Sequence, residues 1–237
     1  MNQMKIAVVI PTAGHRTPML RDLISQCHDV DVACFIVRTS EDAVIPSGVE
    51  VLEDYGPINI HRWWNLGIQS AVSQGFPIQA VLNDDIFVRG PDLLAMAEAL
   101  SETGATLASP GVRKRLYRNA FPFRRVLDGA CWLLNSTHGL RPDERYRWGY
   151  GDDELDIQAR IQFSGVLTMP IRYTHPFHNQ ATEHSSYLRE LSNKDRLLFD
   201  SEHPLVAASR RPRQIASNLR WKGSCHPSSD DVQTPRH

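Results

Sequence analysis

The sequence predicts an α/β fold: a single domain whose mostly parallel central sheet is flanked by helices. Apolar runs of strand length alternate along the chain with segments whose apolar residues recur at the helical period, and Gly or Pro punctuates the joins. The polar clusters, Asn83-Asp84-Asp85 among them, follow apolar runs, as they do where open parallel sheets gather ligands at the carboxyl ends of their strands.

KIAVVIP, from Lys5, reads as a first strand buried on both faces, because it is continuously apolar rather than alternating. Thr17 then offers an N-cap with Pro18 at the first helical position, and Met19, Leu20, Leu23, Ile24 and Cys27 fall on one helical face. VACFIV is a second strand and VEVLE a short third. A helix from about His61 to Ser73 carries Trp64, Ile68, Ala71 and Val72 and is closed by Gly75. QAVLND is the fourth strand; Pro91 opens a helix through Leu93, Leu94, Ala97 and Leu100 that Gly104 stops. ATLASP and GACWLLN are further strands, and RKRLYRNAFPFRR between them fits neither period. WGYG leads into a helix whose Leu155, Ala159 and Phe163 share a face and whose stop is Gly165. VLTMPIRYTHPF is a last strand running into a histidine-rich loop.

The 237 residues are 41% hydrophobic and 22% charged, enough apolar mass for a sizeable core and too much for a disordered chain. No apolar run approaches the roughly 20 residues that span a bilayer, and MNQMKIAVVIPT passes directly into a strand, so no integral membrane segment and a cytoplasmic location are expected. Cys27, Cys34, Cys131 and Cys225 lack paired metal-ligand spacing, which suits reduced, packed thiols. From Arg210 onward six Lys or Arg stand against two Asp, although the whole chain has a net charge of -1. Residues 209–237 therefore read as a basic, flexible, solvated tail on a domain of residues 1–208, with no nucleic-acid partner expected.

AVLNDDIFV, residues 80–88, sets two acids and an asparagine in apolar surroundings. A desolvated carboxylate costs roughly several kcal/mol unless something pairs with it. At the C-terminal edge of a central strand, beside Pro11 and Thr12 of the first, these hard oxygen donors suit Mg²⁺ or Mn²⁺, which completes its shell with substrate phosphates and water. The plainer alternative is a turn cap or a pair with Arg89. Asp152, Asp153 and Glu154 form a second acidic set, whose plain reading is compensation of a helix N-terminus. Trp132, Trp148 and Tyr150 near them offer aromatic faces for stacking on a sugar ring. Arg113, Lys114, Arg115, Arg118, Arg124 and Arg125 make either a basic flap over a diphosphate or a solvated loop.

Taken in order, these segments resemble the nucleotide-sugar glycosyltransferases of the GT-A, Rossmann-like fold, family 2 and its relatives. IPTAGHR followed by Leu20 is similar to the family's opening I-P-T…R…L at the nucleotide site, and NIHRWWNLGIQSA to its N-x-G-x-x-x-A helix. VLNDDIFV resembles its variant of the Asp-x-Asp motif, and GACWLLN its acceptor-lining strand. WGYGDDELDIQAR resembles the G-[ED]-D-x-x-[DL]…R segment that carries the catalytic acid, and HPFHNQATEH the late histidine that joins the metal. The likeness runs from about Lys5 to His184.

The resemblance implies transfer of a sugar from a nucleoside-diphosphate donor to an acceptor hydroxyl, with inversion and with Mn²⁺ or Mg²⁺ as cofactor. It implies that Pro11, Thr12 and Arg16 contact the nucleotide and that Arg62 and Asn65 border it or its diphosphate. Asp85, with Asn83 and Asp84, would hold the metal, Asn83 standing where the usual motif has its first Asp. His178 would be the late metal ligand, with His175 as alternate. Asp153 aligns with the general base, and a one-residue shift favours Glu154; Asp152 completes the set. After the second strand the family's Asp-rich base-reading segment is replaced by Arg38, Thr39, Ser40, Glu41 and Asp42, so the motif leaves the nucleotide open. Two other classes fit less well. A sugar nucleotidyltransferase would carry an early Gly-rich phosphate loop, and PTAGHRTPMLR is poor in glycine. A non-catalytic carbohydrate- or nucleic-acid-binding module accounts for the basic loop and tail and leaves the acids at Asp85 and Asp153 without a role. Whether the acceptor is a glycan, protein, lipid or small molecule leaves no mark in the sequence.

Overall fold

The structure, a computed structural model, describes residues 5–119, 124–176 and 180–208. Its elements run β1 (Ile6–Thr12), α1 (Thr17–His28), β2 (Ala33–Arg38), β3 (Glu50–Glu53), α2 (Ile60–Ser73), β4 (Ile78–Leu82), β5 (Phe87–Val88) and α3 (Gly90–Thr103). They continue as β6 (Leu107–Pro110), β7 (Arg115–Tyr117), β8 (Cys131–Asn135), α4 (Gly151–Ile161), β9 (Val166–Met169), β10 (Tyr173–Thr174), α5 (Gln180–His184) and α6 (Ser186–Glu202). Eight strands form one sheet in the order β3-β2-β1-β4-β8-β6-β9-β7, and β5 pairs with β10 apart from it. β3/β2, β2/β1, β1/β4 and β6/β9 are parallel, whereas β8 and β7 join antiparallel. The expected mostly parallel α/β sheet is present in this mixed form. The chain divides into two units, Met1–Phe199 and Asp200–His237, and the sheet lies in the first. The tail expected from residue 209 lies outside the described residues. Among the described residues no helix is long and apolar enough to cross a membrane.

Strand alternation builds two cores. Ile6, Val8 and Ile10 of β1 face α1 and α3, where Leu20, Leu23, Ile24, Leu93, Met96 and Leu100 are buried. Ala7 and Val9 face the other way, toward Trp63, Trp64 and Ile68 of α2 and Leu155 and Ala159 of α4. Each fully buried aliphatic side chain contributes about 1.5–3 kcal/mol, and both faces of β1 are filled, which is why KIAVVIP shows no alternation. α2 lies so close to β1 that a Cβ on Gly67 would fall 2.2 Å from Val9 Cγ1.

Several local expectations change. Arg16, not Thr17, is the N-cap of α1, and the Thr17 hydroxyl donates to Gly14 O at 3.0 Å instead. Val72 is exposed rather than part of the α2 core face. The basic stretch after β6 contains a strand, β7, on the edge of the sheet against β9. VLTMPIRYTHPF is not one strand: Pro170 lacks a ladder donor, and the chain leaves the main sheet there before re-pairing as β10 with β5.

Candidate active site

The chain runs from β1 through β2 to β3 on one side, then returns to place β4 on β1's other side. That reversal is a topological switch point, where the carboxyl ends of parallel strands open a crevice. The register pairs Val9 with Val81, so three residues farther on Thr12 stands opposite Asp84. The Thr12 hydroxyl indeed donates to Asp84 Oδ2 at 2.6 Å. Burial pushes the Asp84 carboxyl up, the Thr12 bond opposes that, and the charge of Asp85 adds to it. The Asn83 amide donates to Ala130 O at 2.9 Å, tying this turn to the residues before β8.

Asp85 meets two other predicted site residues, while Arg89, the pairing partner the sequence offered, is engaged by Asp92. Arg16 Nε lies 3.6 Å from its Oδ2, and His175 Nε2 lies 3.0 Å from its Oδ1. The short β5/β10 pair explains the second contact. Thr174 stands opposite Phe87, and because the strands are antiparallel, the next steps outward bring His175 toward Ile86 and Asp85. Oδ1 of Asp85 is buried and receives no hydrogen bond of good geometry. Two donors bound side by side to one divalent cation at about 2.1 Å lie about 3 Å apart. The 3.0 Å separation is that of a direct imidazole–carboxylate contact and also fits two ligands of a single ion. Pro11 and Thr12 are the last residues of β1 and are buried. His178 lies outside the described residues.

The second acidic set sits on the first turn of α4, where the unpaired amides favour negative charge. Asp152 Oδ2 accepts from Arg125 Nη1 at 2.9 Å, and Asp153 Oδ2 lies 4.0 Å from the same nitrogen. Glu154 Oε1 accepts from Gln158 Nε2 at 2.7 Å. Asp153 and Glu154 are buried. The two acidic sets are close neighbours through the 128–130 turn: Ala130 O holds Asn83, and a Cβ on Gly129 would lie 2.8 Å from Asp152 Oδ2.

Not every predicted residue joins this crevice. Arg62 is engaged bidentately by Asp54, at 2.6 and 2.9 Å, and also donates to Pro57 O. Asn65 is buried, its Nδ2 donating to Pro142 O and Glu144 Oε1 at 2.9 and 2.8 Å. Trp132 is a correction: at 0% exposure, edge-to-face on Trp64 at 5.4 Å, it is a core residue with no face open to a sugar. Trp148 is partly buried and its indole donates to Thr182 Oγ1 at 2.8 Å. Tyr150 caps α4 in the left-handed region, at φ 62°, a conformation that costs a non-glycine residue about 1–2 kcal/mol. Such strain gathers at functional sites where surrounding contacts hold it.

The holding residue, Asp195 on α6, carried no sequence signal. Its Oδ2 accepts from the successive amides of Arg147, Trp148 and Gly149 at 3.0, 2.7 and 2.9 Å. Two further pairs were also invisible in sequence. Asp156 and Arg160 form a fully buried bidentate pair at 2.7 and 2.6 Å, from which Arg160 reaches Asn119 O and Arg124 O while Asp156 accepts Val126 N. Only the i,i+4 spacing hinted at it. Tyr173 OH donates to Asp128 Oδ2 at 2.5 Å, and burial, aided by that carboxylate, pushes the phenol up so that it keeps its proton.

No family model matches the chain, and no curated protein matches it. Solved structures do. Residues 1–349 of S. aureus TarS superpose with a TM-score of 0.56 at 11% identity, covering 72% of this chain and 60% of that one. The same TarS piece in complex with UDP gives 0.54 at the same identity and coverage. The longer TarS structure gives 0.54, with 36% of its length covered. The chain thus spans at most 60% of the TarS structures it matches. At 11% identity this is a likeness of architecture, and it agrees with the sheet order and the crevice described above: the chain has the GT-A α/β fold.

Proposed function

We propose that the protein is a metal-dependent glycosyltransferase that moves a sugar from a nucleoside-diphosphate donor to an acceptor hydroxyl with inversion. The observation that carries the reading is the meeting of Asp85 Oδ1 and His175 Nε2 at 3.0 Å at the switch point of the sheet. Asp85 and His175, with Asn83 and Asp84 beside them, would hold Mn²⁺ or Mg²⁺. Bound there, the cation would act as a Lewis acid for the negative charge that develops on the departing diphosphate. Arg16, against Asp85, adds a guanidinium on the phosphate side of the crevice. Pro11 and Thr12 line the nucleotide floor, and the Thr12 hydroxyl fixes the Asp84 carboxyl. Across the 128–130 turn, Asp153 takes the proton of the acceptor hydroxyl. Asp153 is assigned that role because it aligns with the catalytic acid of the segment that WGYGDDELDIQAR resembles, with Glu154 as the alternate.

The test is a thermal-shift and calorimetric titration of the purified protein with UDP-, GDP-, CMP- and dTDP-sugars, each with and without Mn²⁺. UDP-sugars come first, because a TarS structure that this chain resembles is in complex with UDP. One donor should raise Tm in a Mn²⁺-dependent way. A folded protein that binds none of the donors overturns the reading in favour of a non-catalytic module.

A further inference from the structure

We propose that Tyr173 and Asp128 are positioning residues for the cation site: the phenol–carboxylate hydrogen bond between them fixes β10 and thereby sets His175 beside Asp85. The inference rests on the cation reading of that pair.

β10 is only two residues long, and its strand pairing is limited to Tyr173 opposite Val88 and Thr174 opposite Phe87. A two-stranded ribbon of that size is marginal by itself. Asp128 is anchored more firmly. Its amide donates to Ser109 Oγ at 2.9 Å, and its Oδ1 accepts Ala130 N at 3.0 Å. Ala130 O in turn holds the Asn83 amide at 2.9 Å. Asp128 is therefore tied to β6 and to the same backbone that carries Asp84 and Asp85. The 2.5 Å bond from Tyr173 transmits that anchorage to β10. Residues two apart on an extended chain project to one side, so the anchoring phenol and the imidazole of His175 work from the same side. The link spans sequence-distant elements and makes the distance between the two candidate ligands depend on a hydrogen bond that neither of them makes.

Tyr173→Phe tests this, because it keeps the ring that packs on the core formed with α1 and α3 and removes only the hydroxyl. Mn²⁺ is titrated into the full chain by calorimetry, with free Mn²⁺ followed by electron paramagnetic resonance. Residues that orient metal ligands typically contribute about 10–100-fold in affinity, so Tyr173→Phe should weaken Mn²⁺ binding about 10-fold or more. Asp128→Ala should do the same, and Asp128→Asn, which keeps an acceptor for the phenol, should recover most of the loss. The double variant with His175→Ala should bind no more weakly than His175→Ala alone, since the phenol acts through the imidazole. Parental affinity in Tyr173→Phe, alongside weakened Asp85→Asn and His175→Ala, overturns the inference and leaves the cation reading standing. A loss that adds to that of His175→Ala also overturns it. Unchanged Mn²⁺ binding in all these variants removes the cation reading and the inference with it.

Discussion

The two sides of the crevice are held by different physics. On the β1–β4 side, β1, β2, β3 and β4 are joined by parallel backbone ladders, and Thr12 and Asp84 meet because the register puts them there. On the α4 side, the described residues between β7 and β8 are placed mainly by side chains. Arg160 reaches the carbonyls of Asn119 and Arg124, Asp156 accepts Val126 N, Ser109 holds Asp128, and Arg125 pairs with Asp152. A ladder distributes its stability over many modest bonds. A few buried polar ties concentrate it, so the loss of one is felt at once.

The sharpest way to break that contrast is Asp156→Ala. Its partner Arg160 is 5% exposed and would be left buried without a counter-charge. Removing one member of such a pair typically destabilises by about 3–5 kcal/mol, which should appear as a large fall in Tm. Hydrogen exchange should accelerate first at Arg115–Tyr117 and Val126, while the amides of β1 and β4 keep their protection. Equal loss on both sides would show that the side-chain ties and the ladder are one cooperative unit.

Asp85→Asn addresses the β1–β4 side and should act on ligand binding rather than on the fold. Losing a candidate metal ligand should weaken Mn²⁺ by more than the roughly 100-fold upper range seen for residues that merely orient ligands. Tm without metal should change little, because the lost contacts with Arg16 and His175 are offset by the lighter desolvation of a neutral amide. Calorimetry and thermal melts of the same samples separate the two effects. An unchanged Mn²⁺ affinity would take Asp85 out of the site.

The same contrast explains what could be read from the sequence. Continuous apolar runs and capping residues identify β1, α1, α2, β4 and α3, because burial on both faces and helical periodicity leave direct patterns. Asp85 stood out because acids seldom follow a buried strand without a partner. His175 was legible only as an alternate to His178, since its meeting with Asp85 depends on the two-residue β5/β10 pair, too short to leave a period. Trp132 misled: an aromatic beside acids suggests a sugar platform, yet its strand is central, between β4 and β6, where both faces are covered. Asp195, Asp128 and Asp156 each act on groups far away in sequence or on backbone amides, and single residues of that kind carry no periodic signal.

A pH experiment tests how the α4 end is supported. His61 is buried, and its Nδ1 donates to Tyr146 O at 2.6 Å, while Nε2 lies where a Cβ on Gly151 would collide, 1.9 Å away. Burial pushes the imidazole below its ordinary 6.5; the Tyr146 carbonyl and the charges of Asp152, Asp195 and Asp143 oppose that. The folded state thus binds the proton less readily than the unfolded one. Its contribution to stability is full above pH 6.5 and is lost as the pH falls from there through the lower folded value. Melting temperature should decline over that window, and His61→Gln should flatten the decline while lowering stability above it. A parallel pH dependence in parent and variant would assign the effect to other groups.

The smallest effect expected is that of Arg125→Gln, and it bears most directly on the contrast between the two acidic sets. Arg125 is half exposed at 49%, so its pairing with Asp152 contributes about 1 kcal/mol or less after solvent screening. Tm should move little, and high salt should narrow the difference further. Mn²⁺ binding at the candidate Asp85–His175 site should not change, because Arg125 pairs with the α4 acids. The pH–rate profile of transfer should respond instead. The Arg125 guanidinium and the Asp152 and Asp153 carboxylates stabilise one another's charged forms, so an acid limb governed by the candidate base on α4 should move to higher pH. A shift of that limb with unaltered Mn²⁺ affinity would show that the two acidic sets are electrostatically separate although the 128–130 turn joins them. A matching change in Mn²⁺ affinity would mean that Arg125 sets the field over both, and that the crevice behaves as one charge system rather than two.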